Sequence, residues 1–111
     1  MITVRPELLY KDLKGFVPSK NKVEAMMKFR RFFKRSSRLM PTLLRLQDMN
    51  VEISPEDANR NFMNYFRFYF HWEDPAMLDN LLMKGYEIVF DCLYLYSDST
   101  HFRPYVIPRP A

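Results

Sequence analysis

The sequence predicts an all-α fold of three main helices, and three observations point there. Two segments open with strong helix-start signals, Ser54-Pro55-Glu56-Asp57 and Asp74-Pro75. In each, an N-cap side chain precedes a proline at the first helical position; in the first, acids follow where the helix dipole favours them. Apolar residues recur at helical spacing in three separate stretches. Only two glycines occur in 111 residues, too few for the many tight turns of an all-β chain.

Taken in order, residues 1–18 read as an N-terminal extension. Pro6 to Leu13 suits a short helical segment, which Gly15 and Pro18 cut off. Residues 19–97 read as the three-helix domain. Ser19 is placed to cap the first long helix, which reaches about Met40 before Pro41 ends or kinks it. Met26, Phe29, Phe33 and Met40 share one side of this helix. Lys28, Arg31, Lys34, Arg35 and Arg38 share the other, with Arg30 at the boundary. A polar link, Gln47 to Asn50, leads to the second helix with Ala58, Phe62, Tyr65, Phe66, Tyr69 and Phe70. The third carries a stripe of Leu78, Leu81, Leu82, Gly85, Ile88, Val89, Cys92 and Tyr96. Residues 98–111 read as an extended Pro-rich tail, because Pro104, Pro108 and Pro110 oppose helix. Such a strap needs a surface to lie on, which favours a subunit of a larger assembly.

Composition narrows the class. The residues are 48% apolar and 16% aromatic, ample for one core, while 27% charged residues leave no long uncharged run for a membrane span. The net charge of +4 is local: between Lys20 and Arg38 eight cations face a single acid, Glu24. Such a stripe suits an acidic protein, nucleic acid or anionic lipid, or is simply a solvated helix face. Cys92 is the only cysteine, which excludes an intrachain disulfide and a multi-cysteine metal site. Met-Ile-Thr-Val-Arg lacks the apolar run of a secretory signal, and Glu7 and Asp12 interrupt an Arg-rich presequence. A mitochondrial destination would need an internal import signal or a start already trimmed.

A family comes into view from the third helix. Asp74-Pro75, Asp79, Leu81, Lys84-Gly85 and Thr100-His101 occur at a spacing that resembles the LYR-motif family, in particular its accessory subunits in the matrix arm of respiratory complex I. In that register Phe66 falls at the family's second-helix phenylalanine. Lys28-Phe29-Arg30 falls at the Leu-Tyr-Arg signature, followed by Phe32, Phe33 and Lys34 in place of the aromatic pair and basic residue. The chain departs from the signature in having lysine for leucine and phenylalanine for tyrosine, and carries extra residues around Ser36 to Leu39. The resemblance covers roughly residues 28–101. Leu9-Tyr10-Lys11 is closer in letters, but Gly15 and Pro18 break the helix that would carry it, and it lies too far from Phe66.

The resemblance implies a non-catalytic LYR-type bundle on the matrix side of the mitochondrial inner membrane, peripheral to the membrane, contacting other matrix-arm subunits and a mitochondrial acyl carrier protein. Lys28, Phe29, Arg30, Arg31, Lys34 and Arg35, supplemented by Arg60 and Arg67, would meet the carrier. The acyl chain on the carrier's phosphopantetheine would enter an interior lined by Phe29, Phe33, Phe62, Phe66, Leu81, Leu82, Ile88 and Val89. The energetics suit such a division of labour. Exposed ion pairs contribute about 0–1 kcal/mol each and mainly steer. Roughly ten methylenes, at about 0.8 kcal/mol per CH₂, would contribute about 8 kcal/mol gross. Read without the family, the same aromatics are ordinary core.

Catalytic chemistry finds little support. His71 and His101 lack carboxylate or thiol partners at ligand spacing, Ser36-Ser37 have no evident base, Cys92 lies on the apolar stripe, and there is no Gly-rich phosphate loop. No catalytic residue, metal or covalently bound cofactor is expected. Two alternatives remain: an LYR-type adaptor in a mitoribosome or in iron–sulfur assembly, and a ribosomal protein with Arg30 to Arg38 on RNA phosphates and aromatic rings stacking on bases.

Overall fold

In the computed structural model, which describes residues 6–94 and 99–107 (side chains of 7–94 and 101–107), every regular element is helical. There are five: α1 Pro6–Lys14, α2 Lys22–Leu46, α3 Pro55–Arg67, α4 Pro75–Leu93 and α5 Ser99–Val106. The described chain measures 41 × 36 × 22 Å. Helix α2 packs chiefly on α4 and also on α3; α1 lies on α2, and α5 on α3.

The start signals act locally as their chemistry requires. Ser54 Oγ accepts from the Asp57 amide at 3.2 Å, and Asp74 Oδ1 from the Ala76 amide at 2.9 Å. Helix α2, however, starts later than Ser19. Its cap is Asn21, whose Oδ1 accepts from the Glu24 amide at 2.9 Å while the Glu24 carboxylate reaches back to the Lys20 amide at 2.8 Å. Ser19 is engaged elsewhere: its amide and hydroxyl both donate to the Asp79 carboxylate of α4, each at 2.7 Å.

The expected stop at Pro41 is corrected: α2 runs through it for another turn and more, to Leu46. A proline there has no N–H for the carbonyl four residues back, Ser37, a defect costing about 3 kcal/mol in an isolated helix. Here the Asn59 side-chain amide of α3 donates to the Ser37 carbonyl at 3.4 Å. Met40, Leu43 and Leu44 are buried around the proline. The helix closes at Asp48, which holds a left-handed φ of 56°. The Met49 amide donates back to Leu44 O and the Asp48 amide to Arg45 O, a Schellman closure with no glycine.

Two further expectations are corrected. Helix α3 stops at Arg67, so Tyr69 and Phe70 sit in the turns before α4. The tail is not an extended strap over its described part: Ser99–Val106 is helical through Pro104. Burial outweighs the local cost, for Phe102 and Val106 are 1% and 0% exposed, and Asn61 of α3 donates to the Val106 carbonyl at 2.7 Å. Arg103 forms a two-pronged pair with Glu52 at 2.5 and 2.8 Å. Pro108, Pro110 and Tyr96 lie outside the described residues.

The core joins all five helices. Phe29, Phe32 and Phe33 of α2 share one buried cluster with Phe62 and Phe66 of α3, Leu78, Leu82, Tyr86 and Val89 of α4, Leu9 of α1 and Phe102 of α5. Gly85 lets α4 approach: a β-carbon there would lie 2.9 Å from the Phe32 ring and 3.2 Å from that of Phe66.

Candidate functional site

The basic stripe of α2 divides into two sets. Arg30, Arg31, Lys34 and Arg38 are exposed and make no hydrogen bond or ion pair with another described residue. Lys28 and Arg35 are structural. The Lys28 ammonium donates to the Val17 carbonyl and lies 4.4 Å over the Phe16 ring. Arg35 pairs with Asp12 of α1 at 3.2 Å, both side chains largely covered. These two cations therefore hold the N-terminal extension onto α2. Of the supplementary residues, Arg60 pairs with Asp57 one turn away at 2.8 Å, and Arg67 is exposed at the end of α3. Phe29 is 1% exposed, so it belongs to the interior and not to the surface a partner would touch.

The expected interior residues do converge. Phe29, Phe33, Phe62, Phe66, Leu81, Leu82 and Val89 are buried, and Ile88 is half-buried. Phe66 is surrounded by Phe29, Phe32, Phe33, Phe62 and Tyr65, with ring centroids 5.1–5.9 Å away. The volume beside Phe66 is thus filled by the chain's own rings, in the edge-on and tilted geometries that aromatic pairs favour. Phe32 holds the centre at 0% exposure, touching Phe62, Phe66 and Tyr86. Its spacing of three from Phe29 and seven from Leu39 is the signal for a wider apolar face than Met26, Phe29, Phe33 and Met40 alone suggest.

Elsewhere a concavity is open to solvent. Tyr65 and the turn residues Tyr69 and Trp72 face Met77, Asn80, Leu81 and Lys84 of α4 across a groove of about 360 Å³. The Lys84 ammonium donates to the Tyr65 hydroxyl at 2.7 Å and lies 5.3 and 5.9 Å over the Tyr65 and Tyr105 rings. Accepting that hydrogen bond, Tyr65 raises the Lys84 pKa above the ordinary lysine value, outweighing partial desolvation.

The other chemistry-bearing side chains have structural surroundings. The Ser36 and Ser37 hydroxyls donate to the Phe33 and Lys34 carbonyls of their own helix, at 3.3 and 3.0 Å. The His71 ring lies 3.0 Å from the Phe68 carbonyl. Cys92 is fully buried, and burial pushes its thiol up to about 12, against the weaker opposite pull of Gln47. Among the described residues no cluster of His, Cys, Asp and Glu could hold a metal ion, and no helix is long and apolar enough to cross a membrane. The chain matches no protein-family model, and no curated protein matches it.

Proposed function

We propose that this chain is a non-catalytic LYR-type accessory subunit of the matrix arm of mitochondrial respiratory complex I that holds an acylated acyl carrier protein. The observation carrying the reading is the row of exposed cations Arg30, Arg31, Lys34 and Arg38, none satisfied within the described chain, on the helix whose other side is Phe29, Phe32 and Phe33. Unpaired cations in a row supply long-range attraction and register for an acidic helix. Arg31 and Lys34, one turn apart, are the centre of that row.

The aromatic interior supports the second half of the reading. An acyl chain supplies apolar surface worth about 0.8 kcal/mol per methylene buried. Room for it beside Phe66 requires the rings of Phe29, Phe33 and Phe66 to part, so accepting the chain and rearranging the rings are one event.

The test is co-purification of the carrier from mitochondria with Arg31→Glu/Lys34→Glu. Arg35 is left intact because its reversal would also disturb Asp12 and α1. Carrier recovery should fall several-fold with helicity unchanged; undiminished recovery would sink the reading. If RNA co-purifies instead, with retention falling steeply between about 50 and 200 mM salt, the same cations serve phosphates and the protein is a ribosomal subunit.

A further inference from the structure

We propose that the groove between the end of α3 and the start of α4 is a binding site for a free single-chain monocarboxylate, with Lys84 and Tyr65 holding the carboxylate and Tyr69, Trp72, Met77 and Leu81 covering the chain. Its size, about 360 Å³, falls within the range of small-ligand pockets, and its lining has their composition: mainly apolar and aromatic walls with a few convergent polar groups. Each of its polar groups can donate to an anion. Lys84 Nζ has three hydrogens and gives one to the Tyr65 hydroxyl. Because that hydroxyl accepts from Lys84, its own hydrogen is available to a ligand. Asn80 adds a side-chain amide at the rim. No acidic side chain lines the groove itself; Glu87 and Asp91 line the neighbouring cleft on the other side of Lys84.

Lys84 is also held in place. Two aromatic rings lie within 6 Å of its ammonium, and the Tyr65 bond keeps its charge throughout the neutral range. A fixed cation loses less freedom on binding an anion than a flexible one. A single cation with one phenol matches one negative charge, which selects a carboxylate over a phosphate. The groove shares no lining residue with the Arg30–Arg38 face, and of the expected acyl-chain interior it shares Leu81 alone.

Trp72 is the only tryptophan in the sequence and lines the groove, so its emission reports on this site alone. The full-length protein is titrated with dodecanoate below its micelle concentration, and in parallel with dodecanol. Dodecanoate should give a saturable change in Trp72 emission, at an affinity at least about tenfold above that of dodecanol, the factor expected for one charge-assisted hydrogen-bonded anchor. Lys84→Met, which keeps the apolar stem, should weaken dodecanoate by a similar factor without changing dodecanol or the helical circular dichroism. No saturable response to dodecanoate, equal affinity for the alcohol, or a response only once micelles or lipid vesicles are present would each overturn the proposal. The comparison of the two probes on the unaltered protein decides the matter even if the variant misfolds.

Discussion

Ser19 and Asp79 are joined by two short hydrogen bonds, 2.7 Å from the Ser19 amide and 2.7 Å from its hydroxyl to the two oxygens of the Asp79 carboxylate. Asp79 is 7% exposed, and its carboxylate ties the α1–α2 connector to α4. Asp79→Ala should lower stability by about 1–3 kcal/mol, the range for removing one partner of a buried, charge-assisted pair. Asp79→Asn, which retains one acceptor, should cost less. Urea denaturation of the three proteins checks the order; equal midpoints would show that the connector contributes nothing to the fold.

Gly85→Ala should destabilise despite the helix preference for alanine. Alanine gains about 1 kcal/mol in a helix interior, but its methyl would press on Phe32, a fully buried ring hemmed in by Phe62, Phe66 and Tyr86. Overpacking of this kind costs about 1–3 kcal/mol. A net loss of about 1 kcal/mol is expected in denaturant titration, and a gain would show that the ring has room to retreat.

Helix α5 should behave as part of the core. Phe102→Ala is expected to cost about 3–5 kcal/mol, as for any fully buried phenylalanine. An accessory strap would instead leave the main thermal transition where it was.

Stability should fall on the alkaline side. Burial pushes Cys92 up from 9.0 to about 12, and burial together with the charge of Asp12 pushes Tyr86 up from 10.0 to about 12. Both groups bind their proton more tightly folded than unfolded. Their contribution is complete below pH 9 and is lost as pH rises from 9 towards 12. Cys92→Ala with Tyr86→Phe should flatten that limb of a stability–pH curve. The native Cys92 thiol should also resist alkylation at neutral pH until the chain unfolds.

The parts legible in the sequence were those decided by neighbours in the chain. Ser54 and Asp74 cap the helices that their own prolines begin, and the α4 stripe from Leu78 to Cys92 is buried apart from half-covered Ile88. What escaped sequence reading was settled across the fold. Ser19 looks like a cap until Asp79 is beside it, leaving Asn21 to do the capping. Lys28 and Arg35 resemble Arg31 and Lys34 in every local respect. Only the positions of Val17, Phe16 and Asp12 separate the cations that bind the chain to itself from those left outward. Asp48 closes α2 in a conformation for which glycine is the usual cue. Pro104 reads as a breaker until Phe102 and Val106 are seen to be buried.

Pro41 has a consequence for the order in which the chain folds. Up to Met40, α2 can propagate on its own ladder of backbone bonds. Beyond that point the Ser37 carbonyl waits for Asn59, a residue on a helix later in the chain. The Pro41–Leu46 segment should therefore form late, gaining full stability as a helix only once α3 has docked. A peptide ending at Leu46 should fray from Met40 onward, where the sequence by itself says the helix ends. On this account the docking of α3 is the event that completes α2.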